Sequence, residues 1–325
     1  INPTDPDISA VFAPVVSNLE IVKNSLGSVY WPAYYINLIG NIVTTEGYQL
    51  KMNTADTLDI EGTQIVPEQT PISIASGWSI IAYLRDNPAS IADMMSTIVS
   101  DVEIVKNNFG AVYWPAYYVN LIGNMLPSQG YQIKMINAST LTYASNSANL
   151  AKANIMELHP QHFYLNKNTG SNMTLGIPNS AWNEKPNPGD EIGVFSPEGI
   201  LVGSSVYDGN NLAISIWGND KLSEEIDGMV EKSKFSIVLM TNGQEQNLQV
   251  DFWLEGDEFY KTNKISIIEK LSIVNYQLLI VELFQNAPNP FSETTTISYF
   301  VPHETKVEIV VYNVLGEKIA ELENS

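Results

Sequence analysis

Carboxylates and histidines are the side chains of this chain with the clearest capacity for chemistry. Four carboxylates lie in predicted turns of the middle region, where hard oxygen ligands could converge on Ca²⁺: Asp190, Glu191, Asp208 and Asp220. EF-hand spacing is absent, and solvated turn carboxylates are the alternative that such residues more often represent. The pair His159 and His162 is interrupted by Pro160, which is more typical of a linker than of a metal site.

Sequence motifs for catalysis are missing. The chain contains no G-x-S-x-G, H-E-x-x-H, Walker or G-x-G-x-x-G motif. It has no cysteine, which excludes a thiol nucleophile, a zinc–thiolate site and disulfide bonds. Paired carboxylates for glycoside hydrolysis need a deep cleft, which a small β-sandwich does not offer. We therefore expect no catalytic activity, and no cofactor other than calcium.

Two identical aromatic runs, Tyr-Trp-Pro-Ala-Tyr-Tyr, are the candidate ligand-binding sites. The residues selected from them are Tyr30, Trp31, Tyr34, Tyr113, Trp114 and Tyr117. Exposed Trp and Tyr rings are flat platforms on which a sugar ring can stack. Packing in the core or between repeats is the alternative, and it is favoured because aromatic side chains carry a large buried area. Alternation along a strand buries some rings and exposes others, so both interpretations can hold in part.

The aromatic runs belong to an internal duplication. Residues 19–53 match residues 102–136 with a constant offset of 83, and 23 of the 35 aligned positions are identical. Identity at this level indicates two copies of one structural unit. We interpret them as tandem small domains, residues 1–70 and 71–148.

Each repeat is predicted to be α+β, with one helix on a small antiparallel sheet. Ser90, followed three residues later by Asp93, is typical of a capping box. An apolar helical stripe follows it: Ile91, Met94, Met95, Ile98 and Val102. In the first copy Asp7 takes the cap position, and Pro14 predicts a short or kinked helix. Gly110 predicts a hairpin turn with a left-handed residue.

The first repeat is expected to lack one strand. Residues 74–83 of the second repeat are typical of a strand inside a sheet, and the offset of 83 places their counterpart before Ile1. The open edge should attract another strand, either from an upstream segment or from another copy of the chain. The second case predicts self-assembly through strand exchange.

Residues 149–274 are predicted to form a β-sandwich. Gly, Asn and Pro become more frequent there, and short strands alternate with polar turns at intervals of roughly ten residues. The predicted strands are 192–195, 201–206, 212–217, 235–240 and 249–254.

The most specific motif lies near the C-terminus. An N-x-P-N-P-F sequence precedes a Thr-rich strand and a V-Y-N-x-x-G sequence. The marker residues are Asn286, Pro288, Asn289, Pro290, Phe291, Tyr312, Asn313 and Gly316. In this order the pieces resemble the type A C-terminal sorting domain of the type IX secretion system, which carries proteins across the outer membrane of certain Gram-negative bacteria. The match covers about the first half of such a domain, residues 275–325.

The resemblance implies a partial immunoglobulin-like β-domain and contact with the type IX secretion machinery. It also implies a secreted protein, located extracellularly or on the outer-membrane surface, whose sorting domain is removed or exchanged for an anchor after export. The residues agree with β-structure, because Ile297, Tyr299 and Val301 follow the two-residue period of a strand. Gly316 lies where a hairpin turn needs a positive φ.

Composition limits the partners. The net charge of −20, from 16 Lys+Arg against 36 Asp+Glu, repels a polyanion, so nucleic acid is not expected to bind. No segment reaches about 18 consecutive apolar residues, so no membrane span is expected.

Together these features predict a mainly β protein with α+β repeats, a β-sandwich and a partial sorting domain. The function we expect is that of a non-enzymatic structural or adhesive protein outside the cell. Its partners would be the secretion machinery and a cell surface, a glycan or further copies of the chain. The alternative is the C-terminal accessory and sorting region, of carbohydrate-binding type, of a larger secreted hydrolase.

Overall fold

The protein is built mainly from β-strands, which confirms the predicted fold class. A computed structural model describes residues 1–148, 150, 152–153, 158–165, 168–274, 282–301 and 307–324. Residues 1–272 form one compact unit, and residues 273–325 form a second. The predicted division of the first unit into three domains stays a prediction.

The first repeat is a four-stranded antiparallel sheet with one short helix. Its elements are β1 (Asn2–Pro3), α1 (Ile8–Val11), β2 (Leu19–Lys23), β3 (Val29–Trp31), β4 (Ile36–Asn37), β5 (Gln49–Met52) and β6 (Gly62–Thr63). The strand order in the sheet is β4-β3-β2-β5, and β1 pairs with β6. Apolar residues of α1 and β2 form the core with Tyr30, which is buried.

The second repeat has the same sheet with one more strand. Its elements are β7 (Ile72–Ile74), β8 (Gly77–Ala82), β9 (Ala89–Ser90), α2 (Ile91–Met95), β10 (Val102–Lys106), β11 (Val112–Trp114), β12 (Val119–Asn120), β13 (Asn124–Met125), β14 (Gly130–Met135) and β15 (Ser139–Leu141). The strand order is β12-β11-β10-β14-β8. Val105 lies opposite Ile133 as Val22 lies opposite Leu50, so the register repeats with the offset of 83.

The helices are shorter than the sequence pattern predicts. α2 ends at Met95, so Ile98 lies in a turn and Val102 on β10, although both side chains are buried. The predicted capping box at Ser90 is wrong, because the Ser90 side chain makes no capping hydrogen bond. The Asp7 cap is confirmed: its carboxylate accepts from the backbone N–H of Ser9 at 2.8 Å.

Glycine permits the tight turn that joins β2 to β3 in the first repeat and β10 to β11 in the second. Gly27 and Gly110 have the same φ of +82°, a left-handed conformation that glycine adopts without a steric penalty. The hairpin predicted at Gly110 is confirmed.

Part of the open edge of the first repeat is covered by the second repeat. The N–H of Gly47 donates to the carbonyl of Ile80 at 2.9 Å, and the N–H of Ala82 donates to the carbonyl of Thr45 at 3.1 Å. β8 therefore lies between β14 and the segment that leads into β5. β8 thus joins the two repeats, and the strand predicted to fill the rest of this edge stays a prediction.

The third part of the first unit is one continuous seven-stranded sheet. Its strands are β16 (Asn172–Ile177), β17 (Glu191–Phe195), β18 (Leu201–Val206), β19 (Leu212–Trp217), β20 (Ser236–Thr241), β21 (Gln244–Glu255) and β22 (Ile265–Ile273). The order is β18-β17-β20-β21-β22-β16-β19. A Cβ atom on Gly203 would lie 2.8 Å from the carbonyl oxygen of Ser215, so the edge strands β18 and β19 pack closely and the sheet rolls on itself.

The second unit contains two strand pairs among its described residues. β23 (Glu282–Leu283) pairs with β24 (Tyr299–Phe300), and β25 (Val307–Tyr312) forms a hairpin with β26 (Lys318–Asn324). Gly316 has a φ of +81° in that hairpin, as predicted.

Candidate functional site

The two copies of the aromatic run fold in the same way. In each, the Trp ends a strand, and a 3₁₀ turn follows at Pro32–Tyr34 or Pro115–Tyr117. The Trp ring meets the edge of the Tyr ring three residues later, with ring centroids 4.6 Å apart in both copies. Local sequence therefore sets the local geometry, and the surroundings decide what each copy can contact.

We define the aromatic face of a repeat as the outer surface of its sheet around the Trp. The face of the second repeat consists of Val112, Trp114, Tyr117 and Val119. The face of the first repeat consists of the residues 83 positions earlier, Val29, Trp31, Tyr34 and Ile36.

The aromatic face of the second repeat is covered by the seven-stranded sheet. Trp114 is 3% exposed and packs with Ala213, Ile265 and Ile267. Gly176 makes room for the indole, because a Cβ atom there would lie 2.9 Å from the Trp114 ring. We call the surface of β16, β19 and β22 that receives this repeat the sheet face.

Polar groups complete the contact between the second repeat and the sheet face. The Ser215 hydroxyl donates to the carbonyl of Gly110 at 2.7 Å, and the Asn211 amide donates to the carbonyl of Tyr117 at 2.8 Å. The Lys106 ammonium donates to the Asn172 side-chain oxygen at 2.9 Å. Hydrogen bonds to loop and turn carbonyls fix the orientation of the repeat as well as its position.

Lys106 is fully buried at this interface. Its Nζ atom lies 4.9 Å from the centre of the Trp78 ring, a cation–π distance. Burial, and then the neighbouring charge of Lys134, lower the pKa of Lys106 to about 7. Burying a single ammonium with one neutral acceptor destabilises the folded chain. The size of this free-energy cost depends on pH near neutrality.

The aromatic face of the first repeat is exposed. Tyr34 is 65% exposed and Trp31 is half-buried. Ile36 is 37% exposed, whereas Val119 at the matching position is 4% exposed. A Cβ atom on Gly27 would meet no heavy atom within 4 Å, whereas one on Gly110 would lie 2.9 Å from Ser215. The part of this surface around Tyr34 and Ile36 is therefore open in the first repeat, whereas the matching part is covered in the second.

The seven-stranded part touches the first repeat on the same sheet surface as Trp31, at the edge strand β5, where the Gln49 amide also donates to the carbonyl of Gly170 at 3.4 Å. The Lys51 ammonium pairs with Asp220 at 2.9 Å and with Glu20 at 3.1 Å. Burial alone would raise the pKa of Asp220, but hydrogen bonds from Lys51 and from the N–H of Leu222 outweigh it and hold that pKa below its ordinary value. This contact lies on the β5 side of the surface, where Ile21 is 4% exposed, and the side with Tyr34 and Ile36 stays open.

The structure corrects half of the predicted ligand-binding set. Tyr113 and Trp114 are buried, so their rings are not available to a ligand, and Tyr117 lies at the rim of the covered face. Tyr30 is also buried, in the core of the first repeat. Tyr34 is exposed, and Trp31 and Tyr117 are each partly buried. The alternative of core and inter-domain packing applies to the three buried residues.

The four predicted calcium ligands are not brought together. Asp190 accepts from the N–H of Asn187 and from the Thr241 hydroxyl, both at 2.8 Å. Asp208 accepts from Asn210, and Asp220 pairs with Lys51. No group of three or more His, Asp or Glu side chains that could hold a metal ion occurs within the described ranges.

Glu191 has a structural role that its sequence position does not reveal. Its carboxylate is buried and accepts backbone N–H groups of three successive residues, Gln161 at 2.7 Å, His162 at 2.9 Å and Phe163 at 2.9 Å. A carboxylate that satisfies three donors holds this segment against β17. Glu191 therefore anchors the chain that enters the seven-stranded sheet.

The residues of the sorting motif form two local networks. In the first, the Asn286 amide donates to the Thr295 hydroxyl at 3.0 Å, and that hydroxyl donates to the carbonyl of Pro288 at 2.8 Å. The peptide bonds that precede Pro288 and Pro290 are cis. Phe291 follows with its ring about half exposed.

The second network lies at the turn of the C-terminal hairpin. The Asn313 side-chain oxygen accepts the N–H of Leu315 at 2.9 Å and that of Glu317 at 3.0 Å, and Gly316 supplies the positive φ. Tyr312 precedes it on β25 and is exposed. The turn therefore explains why Asn and Gly occur at positions 313 and 316.

Comparison with known proteins finds no matching family model, no similar curated protein and no similar solved structure. Within the described part of the chain, no helix has the length and apolar character needed to span a membrane.

Proposed function

We propose that the chain is a secreted structural or adhesive protein, without enzymatic activity, that binds its partner through the aromatic face of the first repeat. The observation that carries the proposal is the exposure of Trp31 and Tyr34 on a sheet whose second copy uses the same residues for binding.

Exposed aromatic rings supply contact area to a binding partner. Trp and Tyr offer a large contact area at a low cost in conformational entropy, and they are enriched where proteins bind one another. Here the rings are fixed before binding, because Trp31 and Tyr34 hold each other edge to face and Pro32 stiffens the turn between them. A preformed surface of this kind loses little freedom on association.

Export by the type IX secretion system is the second part of the proposal, and it is supported by the ordered C-terminal motif. Residues 281–325 would carry the protein across the outer membrane and would not take part in binding. Deletion of these residues should leave the protein in the periplasm. Normal surface display of the deleted form would refute the export assignment.

The binding part is tested with the purified chain on whole bacterial cells. Trp31→Ala with Tyr34→Ala should reduce the amount of bound chain strongly. Tyr118→Ala is the control, because Tyr118 is a highly exposed aromatic residue of the second repeat outside its covered face. Equal binding by all three proteins would refute the proposal, as would turnover of a polysaccharide or peptide that one carboxylate substitution abolishes.

A further inference from the structure

We propose that the partner of the first repeat is a folded β-sheet domain whose surface matches the sheet face of this chain. The inference rests on the proposed function, because it names the class of partner for the same aromatic face. Its basis is that this face is covered in the second repeat, whereas its part around Tyr34 and Ile36 is open in the first.

The apolar contacts around Trp114 have counterparts in the first repeat, although Ile21, the counterpart of Ile104, is already buried. Trp31 corresponds to Trp114, which fills the space above Gly176, and Ile36 corresponds to Val119. The backbone that presents them is the same, with equal ring separations and equal left-handed turns. The free face can therefore make these contacts without rearrangement.

The polar contacts are duplicated as well. The Gly27 carbonyl stands where Gly110 receives the Ser215 hydroxyl, and the Tyr34 carbonyl stands where Tyr117 receives the Asn211 amide. Lys23 occupies the position of Lys106, but it is only half-buried and interacts electrostatically with Asp220.

These positions specify what the partner must present. It needs a small residue opposite the indole, as Gly176 is here, with branched apolar residues beside it. It needs a hydroxyl and an amide donor beside the turns. A sugar ring stacked on Trp31 would use the ring alone and would leave the two carbonyls without these contacts.

The partner is not the sheet face of the same molecule. That surface is covered by the second repeat, with Trp114 almost fully buried against it. A second β-sheet domain with an open sheet face is therefore required, and the chain itself supplies a probe for it once the second repeat is displaced.

The experiment uses full-length chains. The probe carries Val119→Glu, which places a charge in the covered face on a two-residue edge strand, and a second probe carries Trp114→Glu. Opening is checked by faster amide hydrogen exchange in residues 172–177 and 212–217, and folding by circular dichroism. Each probe is immobilised, and wild-type chain is passed over it beside chains carrying Trp31→Glu or Tyr118→Glu.

The proposal predicts that wild-type and Tyr118→Glu chains bind the opened probe. Trp31→Glu should bind about 30-fold more weakly or worse, the usual effect of losing a central aromatic contact. Immobilised wild-type chain, with its sheet face covered, should bind none of them.

Lack of binding to a folded, opened probe would overturn the inference. If cell binding still depended on Trp31 in that case, the proposed function would stand and a different partner would be indicated. Glycan-array binding that Trp31→Glu abolishes, without binding to the probe, would identify that partner as a sugar.

Discussion

The buried ammonium of Lys106 makes the stability of the first unit depend on pH. Its pKa lies near 7 in the folded chain, because burial and the charge of Lys134 disfavour protonation, and near 10.5 in the unfolded chain. Between these values the unfolded state binds more protons than the folded state. The free energy of unfolding should therefore rise as the pH rises above 7.

The size of the effect follows from the two pKa values. The slope approaches about 1.4 kcal/mol per pH unit, and the gain between pH 7 and pH 9 amounts to about 2 kcal/mol. Below about pH 6 both states are protonated, so this contribution is constant and the cost of burying the charge is present in full.

The assay is urea unfolding of wild type and Lys106→Met between pH 5.5 and pH 9. Methionine has a similar length and no charge, although it leaves the Asn172 oxygen without this donor. The amino group of Ile1 also has a pKa lowered by burial and adds a slope of the same sign below pH 8, but both proteins share it. The rise should be smaller in the variant by about 2 kcal/mol. Equal slopes in the two proteins would refute the reasoning.

Three further predictions concern single side chains. Trp114→Ala should lower the free energy of unfolding by about 3–5 kcal/mol, because it leaves a cavity against the sheet. Trp31→Ala should lower it by about 1 kcal/mol. Equal losses of the two variants in urea unfolding would contradict the difference in burial. Glu191→Gln should cost about 1–3 kcal/mol, seen as a lower melting temperature, because a neutral amide satisfies three N–H donors less well. Asn313→Ala should speed hydrogen exchange of the two amides that it holds, and unchanged exchange there would speak against its role in the turn.

Much of the repeat architecture could be predicted because it depends on residues that are close together in the sequence. The hairpin at Gly110 needs only a residue that tolerates positive φ, and the Asp7 cap needs only a carboxylate before an apolar turn. The length of α2 could not be predicted in this way. Ile98 and Val102 continue the helical spacing, but a turn and β10 bury them instead.

The state of the aromatic face could not be predicted from the run itself. Trp31 and Trp114 have the same neighbours in sequence, and their different exposure depends on Gly176 and the rest of a sheet that lies far along the chain. No local pattern marks Gly176 as the contact of one indole rather than the other. The strand that would cover the open edge was likewise expected from outside the repeats, whereas β8 supplies part of it.

The central claim is that one surface is covered in the second repeat and open in the first, and hydroxyl-radical footprinting of the full chain tests it directly. The two aromatic runs lie in peptides of different sequence, so mass spectrometry can follow each one separately. The account predicts that Trp31 and Tyr34 are oxidised much faster than Trp114 and Tyr117. Equal protection of both pairs in the monomeric chain would contradict it.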